Sequence, residues 1–438
     1  MYSKEIQKML IKEKIEIGDK ILLKQNNKEY SGVLMPRPEL GDENCLVIKL
    51  DNGYNIGIKT TDNFKIKILE KLKPIKKTVE KEKLEKGDIT ILGCGGTISS
   101  KVEYKTGAVY PAISQKELLS NFPEIKDITT INTRSIFSLL SGDLNQKHWK
   151  IIGEEIEKEL KKDIEGIVIS HGTDTMHYTS AALSFMIQES PVPIILTGAQ
   201  RSSDRGSSDS KLNLLSSLMA AKSDFSEIGV CMHSNLNDNL CYVHKGTRVR
   251  KMHTSRRDAF KSINQLPILR IDYYNKTVDS VNKYIKKDKN RKPKINLKLN
   301  ENIGLIYIHP GINPKFIEKL SDYDGIVLAG TGLGHVPTNA FNDKNSKSIL
   351  KEIQGLIKSN IPVVMSPQTL YGRLNLNTYT YGRQLKQIGV IGHLCDWTPE
   401  TAFTKLCWVL GHEKKMEKIK QEMETNFVGE ITDRSVVL

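Results

Sequence analysis

The sequence lacks the patterns of several common kinds of site. Its six cysteines form no C-x-x-C pair, the spacing that zinc ribbons and dithiol redox sites use. Its ten histidines form no H-E-x-x-H, and His171 and His177 do not have the spacing of metal ligands on one helix face. No G-x-S-x-G is present, so a serine-hydrolase elbow has no support. We therefore expect reduced thiols, no metal site and no cofactor bound by this chain.

Long apolar segments are missing as well. No apolar run approaches the ~20 residues of a membrane-spanning helix. The N-terminal residues include lysines but no apolar core of a secretory signal. We therefore expect a cytoplasmic protein. At 438 residues, the chain is long enough for two or three domains.

The chain is basic, with a formal charge of +14. A compositional bias toward lysine explains this charge without any function. A polyanionic partner is the alternative, because clustered Lys and Arg side chains gain affinity for nucleic acid by releasing counterions. One dense basic tract is either a solvated linker or a surface for nucleic acid or a partner. Its basic residues are Lys286, Lys287, Lys289, Arg291, Lys292 and Lys294.

The pattern of short apolar runs changes along the chain. Residues 1–70 predict a small β-barrel with an N-terminal helix, because short β-rich runs alternate with turn residues. A charged linker is predicted at residues 71–86. Strand-like and helical patterns then alternate, which indicates a two-lobed α/β fold with a doubly wound parallel sheet. The large lobe is assigned to residues 87–275, a basic linker to 276–300, and a smaller α/β lobe with a tail to 301–438.

Polar residues follow the predicted strands of the large lobe, where ligands bind in open parallel sheets. The first strand is followed by GCGGT, in which Gly96 frees backbone N–H groups to approach a substrate oxygen and Thr97 stands at the strand end. The second strand leads into HGTDT, which contains Thr173 and Asp174. A third strand leads into GAQR.

Each of these features has a simpler explanation. Thr173 and Asp174 are also favoured helix caps, and Lys251 lies in a basic run where a surface lysine is the default. GCGGT is not the G-x-G-x-x-G of dinucleotide sites. Together, however, two threonines, one aspartate and one lysine suffice for acyl transfer, because a threonine hydroxyl needs a nearby base to act as a nucleophile.

These motifs resemble the bacterial-type L-asparaginase family. The resemblance rests on GGTIS at 95–99, HGTDTM at 171–176, LTGAQR at 196–201 and GTRVRKMHTSRRDAFKS at 246–262, in the same order from about residue 86 to 428. It implies that Thr97 is the acylated nucleophile and that Thr173, Asp174 and Lys251 form a second catalytic group. It also implies that Tyr104 lies on a loop that closes over Thr97. Which threonine attacks first stays open.

The resemblance further implies a set of substrate-binding residues. Ser141 matches the serine that holds the α-carboxylate of the substrate, and Gly96 and Gly172 are placed against the substrate. Two departures weaken other contacts: Gly142 replaces the usual Gln or Glu for the substrate amino group, and GTGLG at 330–334 replaces Gly-Asn-Gly-Asn. Cys94 replaces a threonine and is expected to pack under the glycine loop.

The N-terminal barrel gives the chain the layout of one branch of this family, which it resembles: the D subunits of archaeal-type glutamyl-tRNA(Gln) amidotransferases. Such subunits release ammonia from glutamine or asparagine. A separate E subunit, which uses ATP and Mg, activates tRNA-bound glutamate and receives the ammonia. The resemblance implies a homodimer within a D2E2 heterotetramer, with Glu-tRNA(Gln) bound mostly by the partner. The alternatives are a stand-alone cytosolic L-asparaginase and a nucleic-acid-binding protein with an inactive amidase lobe.

Overall fold

The computed structural model describes most of the chain. Between residues 87 and 434 it leaves out residues 97–99, 103–108, 112–117, 120 and 202–206. Helices and strands are numbered below in chain order. The described residues are 2–36, 42–51, 54–60, 64–71, 87–96, 100–102, 109–111, 118–119, 121–201 and 207–434.

The N-terminal part is an antiparallel sheet packed against one helix. Its strand order is β4-β3-β2-β1-β5, and Ile6 and Leu10 of the helix pack with the buried strand residues. Strand β5 pairs with β1 and ends at Glu70. The predicted linker at 71–86 lies outside the described residues except for Lys71. The elements are α1 (Lys4–Lys12), β1 (Lys20–Gln25), β2 (Lys28–Leu34), β3 (Cys45–Lys49), β4 (Asn55–Lys59) and β5 (Lys65–Glu70).

The large lobe contains an eight-stranded sheet of order β18-β17-β14-β13-β12-β10-β6-β9. Strands β9, β6, β10, β12 and β13 are parallel to one another, as predicted, whereas β14, β17 and β18 extend the sheet in antiparallel pairs. The strands of this lobe are β6 (Ile89–Gly95), β7 (Ser100–Val102), β8 (Val109–Pro111), β9 (Ile131–Leu139), β10 (Gly166–Ser170), β11 (Ile187–Gln188), β12 (Ile194–Thr197), β13 (Ile228–His233), β14 (Leu240–Lys245), β15 (Val249–Lys251), β16 (Phe260–Ser262), β17 (Leu269–Asp272), β18 (Thr277–Ser280) and β19 (Lys294–Ile295).

Helices cover both faces of this sheet because alternate strand residues point to opposite sides. In β6, Ile89 and Ile91 contribute to one core, and Leu92 and Cys94 contribute to the other. The first core includes Leu215 and Leu218 of α4, and the second includes residues of α2 and α3. The helices are α2 (Gln146–Leu160), α3 (Met176–Met186) and α4 (Ser210–Lys222).

The smaller lobe has a three-stranded parallel sheet of order β20-β21-β22. Helix α3 of the large lobe packs against α8 of the smaller lobe, where the rings of Phe185 and Trp408 stack with centroids 6.0 Å apart. The two lobes therefore share one hydrophobic core. The elements are β20 (Ile303–Tyr307), α5 (Pro314–Glu318), β21 (Gly325–Gly330), α6 (Leu350–Lys358), β22 (Val363–Pro367), α7 (Thr380–Gln387), α8 (Pro399–Leu410) and α9 (Met416–Glu424).

Buried ion pairs hold the C-terminal tail against both lobes. Lys405 Nζ lies 2.7 Å from Glu430 Oε1, and both side chains are fully buried. Arg248 Nη2 lies 2.9 Å from Asp396 Oδ1, and the Arg248 Nε donates to the carbonyl of Gly429. The tail thus fixes the chain segment that leads into β15.

The basic tract after the large lobe is packed against acidic residues of that lobe. Lys287 and Lys289 pair with Glu165, and Lys294 pairs with Glu189 at 2.7 Å. These contacts favour a packed connector over an open surface for nucleic acid. Strand β18 pairs with β17, so the sheet extends beyond residue 275, where the sequence placed the lobe boundary. No helix among the described residues is long and apolar enough to span a membrane.

Candidate active site

Neighbouring strands bring the predicted motifs to one edge of the large sheet. Strands β6, β10 and β12 are adjacent and parallel, so their carboxyl ends meet there. Gly96 follows β6 with a φ of +85°, and a Cβ at this position would lie 2.7 Å from the backbone nitrogen of Gly172. Only glycine fits between the two loops. Thr97 and Tyr104 lie outside the described residues.

Lys251 joins the two polar side chains of HGTDT. Its Nζ donates to Thr173 Oγ1 at 2.9 Å and to Asp174 Oδ1 at 2.7 Å. The Lys251 side chain is only 10% exposed, whereas that of Asp174 is 76% exposed. Lys251 is therefore not an ordinary surface lysine, because its ammonium group is committed to this threonine and this aspartate.

The start of α3 excludes the helix-cap explanation for Thr173 and Asp174. The N-cap residue of α3 is Thr175, and no side chain caps the helix there. The Thr175 hydroxyl instead donates to the carbonyl oxygen of Ser141 at 2.7 Å. The side chains of Thr173 and Asp174 are consequently free to bind Lys251.

Ser141 lies directly beside the HGTDT turn. The residue is buried in a short 3-10 turn, Ser141–Asp143, that follows β9. A Cβ on Gly172 would lie 2.8 Å from Ser141 Oγ, so this glycine allows the two loops to touch. At Gly142, by contrast, no atom of the described residues lies within 4 Å of a Cβ position, so these residues leave room for a larger side chain. The structure thus brings Ser141, Gly172 and Gly96 together at this turn.

A buried histidine supports the same turn from below. His171 Nδ1 lies 2.6 Å from the carbonyl oxygen of Gly172, and its Nε2 lies 2.9 Å from Thr179 Oγ1. Trp149 Nε1 donates to the same threonine oxygen at 3.1 Å. Burial lowers the pKa of His171 to about 4, so the ring is neutral near pH 7. Sequence reasoning considered this histidine only as a metal ligand and missed its structural role.

The remaining predicted features lie around the site or in the second lobe. Cys94 is fully buried in the core beneath the glycine turn, and burial raises the pKa of its thiol. The GTGLG segment follows β21, and the nitrogen of Thr331 donates to the carbonyl of His335 within the same loop. All six cysteines are free thiols. Among the described residues, no group of three or more His, Cys, Asp or Glu side chains could hold a metal ion.

Comparison with known proteins places the chain in a family. Family models match at residues 88–284 (Asparaginase, N-terminal), 302–423 (Glutaminase/Asparaginase C-terminal domain) and 15–69 (GatD N-terminal domain). The chain is 44% identical to the D subunit of the glutamyl-tRNA(Gln) amidotransferase from Methanosphaera stadtmanae over 436 residues, which cover 98% of this chain and 97% of that protein. It belongs to the D-subunit family of glutamyl-tRNA(Gln) amidotransferases. The corresponding protein of Pyrococcus abyssi is 43% identical with the same coverage of 98% and 97%.

Two solved L-asparaginase structures resemble about four-fifths of this D-subunit family member. The thermostable L-asparaginase from Thermococcus kodakarensis superposes with a TM-score of 0.70 at 33% identity, covering 79% of this chain and 99% of that one. L-asparaginase I from Vibrio cholerae gives a TM-score of 0.67 at 28% identity, covering 80% and 100%. The predicted asparaginase-like fold is confirmed, and the N-terminal sheet corresponds to the separate match at 15–69.

Proposed function

We propose that this chain releases ammonia from the side-chain amide of glutamine or asparagine, for conversion of Glu-tRNA(Gln) to Gln-tRNA(Gln) by a partner E subunit. The observation that carries the proposal is the contact of Lys251 with both Thr173 and Asp174 at the carboxyl edge of the sheet. It occurs in a chain that aligns with D subunits over nearly its whole length. An amidohydrolase site and a D-subunit layout together favour ammonia supply over simple amide breakdown.

The proposed chemistry is acyl transfer through threonine. The hydroxyl oxygen of Thr97 attacks the side-chain amide carbon and loses its proton, and the C–N bond breaks as the nitrogen gains a proton and leaves as ammonia. The resulting ester is then cleaved by water, which returns the hydroxyl to Thr97 and releases glutamate or aspartate. Backbone N–H groups at the glycine turns would stabilise the negative charge on the amide oxygen.

The described residues supply the proton transfers in this scheme. The scheme requires Lys251 to be a neutral amine before the attack. Thr173, which is hydrogen-bonded to Lys251 Nζ, then relays the proton of the attacking hydroxyl to this amine, and the ammonium that forms returns the proton to the leaving nitrogen. Asp174 keeps the lysine in place through its 2.7 Å contact. Ser141 is proposed to bind the α-carboxylate of the substrate together with Gly96 and Gly172, because a Cβ on Gly172 would lie 2.8 Å from Ser141 Oγ and a Cβ on Gly96 would lie 2.7 Å from the Gly172 nitrogen.

The partners follow from the D-subunit family. The proposed E subunit binds ATP and Mg and activates tRNA-bound glutamate, while this chain contributes no cofactor of its own. We further propose a homodimer within a D2E2 heterotetramer, working in the cytoplasm. This chain is proposed to make few direct contacts with tRNA, because much of its basic tract is already paired with acidic residues.

Ammonia release measured with and without the partner tests the proposal. The purified chain should release ammonia from glutamine or asparagine faster when its E partner, Glu-tRNA(Gln) and ATP are all present. A fast rate that is indifferent to these additions would favour the stand-alone asparaginase instead. Thr97→Ala should abolish release, and a Thr97→Ala chain that still turns over substrate would contradict the assignment of the nucleophile.

A further inference from the structure

Gln200 is a polar residue of the site to which the catalytic scheme gives no role. It lies in the turn after β12, next to the turn that carries Thr173 after β10. Its Oε1 accepts a hydrogen bond from Thr173 Oγ1 at 3.5 Å. Its Nε2 is buried and has no hydrogen-bond partner among the described residues. Half of this carboxamide is therefore bonded to the site, and the other half is unpaired.

The backbone around Gln200 is held in place independently of its side chain. The Gln200 nitrogen donates to the carboxylate of Asp209 at 3.0 Å, and Asp209 is fully buried. Asn213 Nδ2 donates to the carbonyl of Gly198 at 2.9 Å and to the same carboxylate at 3.0 Å. A Cβ on Gly198 would lie 2.9 Å from Thr173 Cγ2, so the turn packs directly on the threonine. The carboxamide is thus presented to the site by a fixed turn.

The hydrogen bonds around Thr173 define which half of the carboxamide is unpaired. Lys251 donates to Thr173 Oγ1, so the threonine hydrogen is available to Gln200 Oε1. The Gln200 amide nitrogen then keeps two N–H donors with no acceptor among the described residues. A buried donor without a partner costs free energy, and a ligand oxygen at this place would remove that cost.

We propose that Gln200 is a further substrate-binding residue, which donates from Nε2 to an oxygen of the bound glutamine or asparagine while its Oε1 positions the Thr173 hydroxyl. The inference rests on the proposed function, because it assumes an amide substrate over the HGTDT turn. It adds one donor to the site on the side of Thr173 that faces β12. Polar sites of this kind discriminate strongly, since a substrate that leaves the donor unpaired is bound weakly.

Two substitutions separate binding from packing. Gln200→Met keeps the length of the side chain but removes the donor and the acceptor. Gln200→Glu keeps the acceptor for Thr173, removes the N–H donors and places a negative charge toward the substrate oxygen. We expect the KM for glutamine to rise roughly three- to tenfold in Gln200→Met, as for the loss of one neutral hydrogen bond. The rise should be larger in Gln200→Glu, and the unfolding temperature of both variants should stay near that of the wild type.

Three other outcomes would overturn the inference. If Gln200→Met has the wild-type KM and kcat, the Gln200 side chain contributes only by packing. If Gln200→Glu has a lower KM for glutamine than Gln200→Met, the hydrogen bond of Oε1 to Thr173 matters for substrate binding and the Nε2 donor does not. A loss of activity that follows a fall in unfolding temperature would assign Gln200 a structural role.

Glutamine binding distinguishes failure of this inference from failure of the proposed function. A bound ligand raises the unfolding temperature without any turnover. We expect glutamine to raise the unfolding temperature of the wild-type chain more than that of Gln200→Met. Equal shifts in the two proteins contradict the role of Gln200 alone. A wild-type chain that neither binds glutamine or asparagine nor releases ammonia from them contradicts the proposed function as well.

Discussion

Replacing Lys251 with methionine removes the contact on which the proposed chemistry depends. Its ammonium group makes two hydrogen bonds, at 2.9 Å to Thr173 and at 2.7 Å to Asp174, and its side chain is only 10% exposed. A hydrogen bond that involves a charged group contributes about 1.5–3 kcal/mol. Loss of both from the transition state would raise the barrier by roughly 3–6 kcal/mol, which slows the reaction by about 10² to 10⁴-fold.

The assay is steady-state ammonia release from glutamine, with Lys286→Met as a matched control. Lys286 is a lysine whose side chain is 79% exposed and which pairs with Asp224 at 3.7 Å, so its replacement should leave the rate unchanged. The effect of Lys251→Met should fall mainly on kcat, because the lysine is assigned to proton transfer rather than to ground-state binding. If Lys251→Met retains a rate within threefold of the wild type, Lys251 has no role in proton transfer.

Three further outcomes follow from packing and burial. Lys405→Met should destabilise the chain by about 3–5 kcal/mol, because it leaves the buried charge of Glu430 without a cation. Adding Glu430→Gln should recover part of the loss, and equal denaturant midpoints for the single and double variants would contradict this. Burial lowers the pKa of both His171 and His177 from the ordinary 6.5 to about 4, so the unfolded chain binds these protons more readily as pH falls. The free energy of unfolding should therefore keep its full value above about pH 6.5 and decline toward pH 4. The loss is about 2 kcal/mol for each histidine at pH 5. An unfolding temperature that is constant between pH 7.5 and 5 would refute the burial argument. Gly198→Ala should lower the free energy of unfolding by about 1–3 kcal/mol through overpacking and slow ammonia release, because a Cβ there would lie 2.6 Å from the carbonyl oxygen of His171. Wild-type stability and rate in this variant would show that the turn can move to make room for the methyl group.

The sequence predicts the parallel part of the fold because its strands are fully buried. GIVIS at 166–170 is a continuous apolar run that coincides with β10, and SKLNLLSSLMAAK coincides with α4. The antiparallel edge was not predicted, because β18 is a four-residue strand without a buried residue and has no apolar signal.

The site was predictable as a set of motifs but not as a set of contacts. Glycine turns and HGTDT follow buried strands, so their place at the sheet edge follows from the strand pattern. The pairing of Lys251 with Asp174 joins residues 77 positions apart, and only the family resemblance suggested it. The support from His171 and the unpaired amide of Gln200 depend on burial, which local sequence patterns do not determine.

The origin of the transferred nitrogen tests the central proposal most directly. Glutamine labelled with ¹⁵N in its side-chain amide would be incubated with this chain, its E partner, Glu-tRNA(Gln) and ATP, and the aminoacyl group would be recovered from the tRNA for mass spectrometry. The account predicts ¹⁵N in the side-chain amide of the glutaminyl group, with the rate of labelling strongly reduced when Lys251→Met replaces the wild-type chain. Free ¹⁵N-ammonia without any labelled Gln-tRNA(Gln) would contradict it and leave an asparaginase-like hydrolase.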